Sequence, residues 1–124
     1  VIVLESPENR KRYSDVDLIE ALMLNTQIQK ESFMLASSIQ KGLDKNIVEF
    51  KSKGVKKADF FVLRGCLMPS ALVEVGYITN PKEKSFLTNT NYQKKLARGI
   101  TEGIINFINT YNEKILNNYQ QLKR

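Results

Sequence analysis

The sequence predicts an α/β fold, with a mostly parallel sheet flanked by helices on both faces. The eight-residue run Ala71-Leu72-Val73-Glu74-Val75-Gly76-Tyr77-Ile78 is apolar on both sides of an extended chain, which suits a parallel strand covered by helices and not a solvent-facing hairpin. A second run, Asp59-Phe60-Phe61-Val62-Leu63-Arg64, reads as a neighbouring strand. From Asn91 on, Tyr92, Leu96, Ile100, Ile104, Phe107, Tyr111, Ile115, Tyr119 and Leu122 recur every three or four residues, the mark of one long amphipathic helix.

The remaining elements follow in order. Val1 to Leu4 is a short β-branched run closed by Ser6-Pro7-Glu8-Asn9-Arg10, hence strand then loop. Ser14 or Asp15 is placed to cap a brief acidic helix through Leu24. A second helix is expected from about Thr26 to Leu43, with Ile28, Leu35, Ile39 and Leu43 on one face and Gly42 near its end. Asp44 to Lys57 is lysine-rich and too charged for a core, so it reads as a surface loop. Gly65 to Pro69 separates the two strands, and Asn80-Pro81 ends the second and opens a short helical turn. The last stretch, Asn109 to Arg124, is richer in Asn, Gln and Lys and reads as a helical tail.

Composition narrows the chemistry. The chain has 124 residues, 42% of them hydrophobic, and a net charge of +6, all within the range of one globular domain or part of one. It has no run of about 18 apolar residues and no signal-peptide pattern at its start, so neither a membrane span nor an export signal is expected within it. It has no histidine and a single cysteine, Cys66. Ser-His-Asp and Cys-His catalytic groups and histidine-built zinc sites therefore cannot be assembled from it alone. Val1 is not an initiator methionine and VIVL reads as a strand under way, which suggests a fragment of a longer chain.

Glu74 is the residue most in need of explanation. A carboxylate between Val73 and Val75 in an apolar strand must be desolvated or find a cation. Two readings stand: a general base or metal partner at the sheet's carboxyl edge, or a structural ion pair with a nearby Lys or Arg. Cys66 reads as a small, semi-buried apolar side chain, since nothing near it in sequence would activate a thiolate. Lys51, Lys53, Lys56 and Lys57 form a basic cluster that is either a solvated face or an attraction for an anionic polymer. No aromatic residues are interleaved with it and there is no nucleic-acid-binding motif, so nucleic acid is not an expected partner.

The order of motifs from Gly54-Val55-Lys56 through Met68-Pro69, Val73-Glu74-Val75-Gly76-Tyr77-Ile78-Thr79-Asn80-Pro81, Tyr92-Gln93-Lys94-Lys95-Leu96-Ala97 and Ile100-Thr101-Glu102-Gly103-Ile104 resembles the C-terminal half of the zinc-dependent N-acetylmuramoyl-L-alanine amidases. The resemblance runs from about Ser32 to Phe107. It implies that the chain supplies the C-terminal portion of a single α/β catalytic domain that holds zinc through two His and one Glu. It also implies a late-strand catalytic glutamate, matched by Glu74. The implied substrate is peptidoglycan, cut between the muramic lactyl group and L-alanine of the stem peptide. The implied setting is the periplasm or cell envelope. All the family's zinc-binding histidines lie upstream of the point where this sequence begins. The metal ligands, and activity itself, are thus expected to need the missing N-terminal segment of the same domain as partner, and an activator protein is a further partner the resemblance allows. Lys53-Gly54 stands where Arg-Gly is frequent in the family. Residues 7–27 fall where some members carry an inhibitory helix, which makes Asp15, Asp17 and Glu20 candidate regulatory carboxylates; the bland alternative is that they solvate and cap a surface helix. The rival to the enzyme reading is an inactive cell-wall-binding or regulatory fragment of the same fold.

Overall fold

The computed structural model describes residues 15–123, and the strand and loop expected over residues 1–10, the start of the 7–27 segment and Ser14 lie outside them. Among the described residues three α-helices form the architecture, α1 (Asp15–Asn46), α2 (Pro81–Leu87) and α3 (Thr90–Leu122), with a single 3₁₀ turn at Phe61–Leu63. Among the described residues there is no β-strand, which overturns the expected mostly parallel sheet.

The physical reason lies in what each segment finds to bond with. A strand satisfies its backbone only across a ladder, and apolar patterning supplies a buried face but no partner. Over 59–64 the chain bonds to itself instead: Leu63 N donates to Phe60 O at 2.9 Å, Arg64 N to Phe61 O at 3.1 Å and Cys66 N to Leu63 O at 3.3 Å. Arg64 clasps Asp59 through both oxygens, at 3.1 and 2.7 Å, which suits a turn and holds the Asp59 carboxyl below the usual carboxylate range. Residues 71–78 are irregular, with Leu72, Val75, Tyr77 and Ile78 exposed.

The two helices expected over 15–24 and 26–43 are one. Thr26 does not break it, because its hydroxyl donates to Leu22 O at 2.8 Å and so stays within the helix's own bonding. Gln27 donates to Glu31 at 2.6 Å and the Ser32 hydroxyl to Ile28 O at 2.7 Å, adding further support one turn apart.

The helices α1 and α3 run antiparallel and meet along a glycine seam. Gly42, near the end of α1, is buried against Gly99, and Gly103 lies against Ser38 and Ile39. A Cβ built on Gly99 would sit 2.9 Å from Gly42 O and 3.0 Å from Leu43 Cα, so only hydrogen at these positions permits the approach. The Ser38 hydroxyl donates to Gly103 O at 2.9 Å and accepts from Asn106 Nδ2 at 3.1 Å. Beyond the seam, Glu102 accepts from Lys45 Nζ and Asn46 Nδ2, each at 3.2 Å. Among the described residues Ile39 and Tyr92 are the buried hydrophobic side chains. Tyr92 packs edge-on with Phe50 and Phe86, which ties α2 and the chain after α1 to the start of α3. α3 keeps its expected length, but Ile115, Tyr119 and Leu122 are at least half exposed, so its final third leaves the packed region.

Candidate functional site

The stretch carrying Glu74 is pinned at both ends. Before it, Ser70 N donates to Ser32 Oγ at 3.0 Å, so the same hydroxyl that bonds within α1 also holds the incoming chain. After it, Glu83 reaches back from the first turn of α2 to accept from Tyr77 N at 2.8 Å and from Asn80 Nδ2 at 3.0 Å. Asn80 caps α2 by accepting from Lys82 N at 3.0 Å and Glu83 N at 3.4 Å, with Pro81 at the first helical position. Gly76 lies between the anchors at φ +148°, and a Cβ there would approach Glu83 Oε2 to 3.1 Å. Glycine therefore lets the chain turn close under the Glu83 carboxylate.

Between these anchors Glu74 is exposed, and among the described residues no hydrogen bond or ion pair reaches its carboxylate. The structural ion-pair reading of Glu74 has no partner there. The cations that do pair are engaged elsewhere, Lys45 with Glu102, Arg64 with Asp59 and Lys95 with Glu49. The Lys95 ammonium, 2.5 Å from Glu49 and hydrogen-bonded to it, draws the Glu49 carboxyl below its ordinary value. Asn46 and then Lys45 do the same for Glu102. Burial pushes the Tyr92 hydroxyl up.

Glu74 lines an open groove of about 1850 Å³ whose walls include Leu18, Leu22, Leu43, Leu63 and Leu72. Small-molecule sites are typically about 300–1,000 Å³, so this groove has room for a polymer or a further protein segment. From the first turns of α1 it takes Leu18, Ala21 and Leu22, whereas Asp15, Asp17 and Glu20 are exposed and do not line it. Lys51, Lys53, Lys56 and Lys57 border the groove and are exposed. Cys66, expected to be semi-buried, is a free, exposed thiol.

The implied zinc does not fit the residues present. The chain lacks histidine, and among the described residues no group of three or more His, Cys, Asp and Glu side chains converges as a metal site. No helix among them is long and apolar enough to cross a membrane. The Ser32 and Glu83 anchors were not legible as site features in sequence, although Asn80-x-x-Glu83 carries the spacing of a capping box.

Residues 8–106 match the family model described as N-acetylmuramoyl-L-alanine amidase, and the chain belongs to that family. It is 35% identical over 92 residues to N-acetylmuramoyl-L-alanine amidase AmiA of Salmonella typhimurium, covering 74% of this chain and 32% of that protein. It is 33% identical over the same length and shares to AmiA of Escherichia coli. With N-acetylmuramoyl-L-alanine amidase AmiC of Neisseria meningitidis it shares 31% identity over 105 residues, 84% of this chain and 24% of the relative. The chain thus spans about a third or less of the length of these relatives. No solved structure matches it.

Proposed function

We propose that this chain is the C-terminal part of a zinc-dependent peptidoglycan amidase of the bacterial periplasm or cell envelope, in which Glu74 is the proton acceptor. The observation that carries this reading is the state of Glu74: exposed, unpaired among the described residues, held between two anchored ends and set in the groove. A free carboxylate in that position can take a proton from an attacking water and return it to the leaving amine of the stem peptide's L-alanine as the lactyl amide breaks. The zinc belongs to ligands outside the described residues, carried by an upstream segment. In this reading the chain alone is inert.

The test is release of soluble fragments from dye-labelled peptidoglycan by the full-length protein and its Glu74→Gln variant. Gln keeps the shape and removes the proton acceptor, so turnover should fall at least a hundredfold, the usual scale for a lost general base, with an unchanged circular-dichroism spectrum. Full activity in a folded E74Q protein would sink the assignment. The lack of histidine in the chain and of a metal donor set among the described residues favours one alternative, an inactive wall-binding fragment of the same fold. Zinc-supplied full-length protein that binds peptidoglycan without cutting it would establish that alternative.

A further inference from the structure

We propose that the loop 51–57 is a binding subsite for carboxylate-bearing peptide, placed to hold the anionic stem peptides of peptidoglycan beside Glu74; the inference rests on the amidase reading and deepens it. Four of the loop's seven residues, Lys51, Lys53, Lys56 and Lys57, are exposed lysines, and none has an acidic partner among the described residues. The contacts they do make are with neutral groups. Lys57 Nζ donates to Gln29 Oε1 at 2.6 Å, and Lys53 Nζ sits 4.4 Å from the centre of the Tyr77 ring. These contacts orient two ammonium groups without neutralising them. Other cations are spaced along the helices, whereas here four fall within seven residues, which makes this loop a local concentration of positive charge.

Its position gives the charge a use. All four lysines border the groove that holds Glu74, and Lys53 rests on Tyr77, three residues beyond it. The Lys53 ammonium rests on Tyr77 and that of Lys57 on Gln29 of α1, so these two are held at different places along the loop. A peptide with free carboxylates at intervals would engage several, each exposed pair contributing little and the set contributing specificity of orientation. Three aromatic rings beside the groove, Tyr77, Phe61 and Phe50, each have a cation over the face, Lys53, Arg64 and Lys82, which competes with the base stacking that nucleic-acid recognition commonly adds.

The experiment is pelleting of the full-length protein with purified peptidoglycan sacculi at low salt and 4 °C. It compares wild type, K51Q/K53Q/K56Q/K57Q, and the matching Lys→Arg quadruple. The Gln variant should need roughly tenfold or more sacculi for half-binding, as expected for four weak exposed pairs acting together, and the Arg variant should bind like wild type. Sacculi whose carboxyls are converted to amides should lose wild-type binding to the same degree and leave the Gln variant unchanged. Wild-type-like pelleting by the folded Gln variant, or undiminished binding to amidated sacculi, would overturn the subsite. So would tighter, equally lysine-dependent binding to double-stranded DNA. Hydrolysis measured in parallel separates the two layers. Wild type that cuts peptidoglycan while the Gln variant binds normally refutes only the subsite, whereas wild type that binds through the lysines and never cuts refutes only the amidase reading.

Discussion

Replacing Gly103 with Ala tests whether the helix pair is held by close backbone approach. In an exposed helix this change stabilises by about 1 kcal/mol, because alanine has the better propensity. Here the new Cβ would overlap Ile39 Cα and lie 2.7 Å from Ser38 O and 2.8 Å from Ile39 N. All three are backbone atoms of α1, so no side chain can swing aside and the helices must part. Overpacking of this kind costs roughly 1–3 kcal/mol. Separation also stretches the 2.9 Å bond from Ser38 to Gly103 O, a contribution of roughly 0.5–1.5 kcal/mol. Against the propensity gain, the net is a destabilisation of about 0.5–3.5 kcal/mol. The assay is urea unfolding of the full-length protein followed at 222 nm, with Thr101→Ala on an exposed position of the same helix as the propensity control. A lower midpoint for G103A beside an equal or higher one for T101A is the expected pattern. A G103A midpoint at or above wild type would refute the close-packing argument.

Two further outcomes follow from the same structure. Because Asn46 and Lys45 hold the Glu102 carboxyl below its ordinary value and Lys95 holds that of Glu49, both groups add stability above the unfolded carboxylate pKa of about 4.3 and lose it as pH falls through the lower folded values. Stability should therefore decline on acidification, and urea midpoints at pH 7 and pH 3 should differ less for Glu102→Gln than for wild type; parallel losses would remove Glu102 from that account. Asp15, Asp17 and Glu20 lie off the groove that Leu18 and Leu22 enter. The triple variant D15N/D17N/E20Q should therefore leave peptidoglycan hydrolysis by the full-length protein within about twofold, and a large rise would assign those acids an inhibitory role.

Legibility in the sequence tracked how local each interaction is. The helix from Asn91 was readable because its periodicity lies within one stretch of chain; its Asn89 cap, which accepts from Asn91 N and Tyr92 N, emerges only in the structure. Asn80-Pro81 was readable for the same reason. The continuity of α1 was missed because Asn25-Thr26 looks like punctuation, while the Thr26 hydroxyl in fact bonds back within the helix. The sheet was misjudged because 71–78 shows the hydrophobicity of a buried strand and says nothing about whether a ladder partner is present. Gly42, Gly99 and Gly103 carried no visible signal as a seam, since that role exists only once two helices distant in sequence are brought together.

By itself the sequence determined the long C-terminal helix, the helix-opening Asn-Pro, the family to which the chain belongs and the lack of histidine that removes a histidine-built zinc site from it. Those are properties of residue type and spacing, which act within a few residues or not at all. The tertiary structure decided that Glu74 stands unpaired in a groove, that Ser32 and Glu83 hold the chain on either side of it, and that glycine lets α1 and α3 touch. Each of these depends on groups 6 to 65 positions apart meeting at contact distance, and only the packed chain sets that distance.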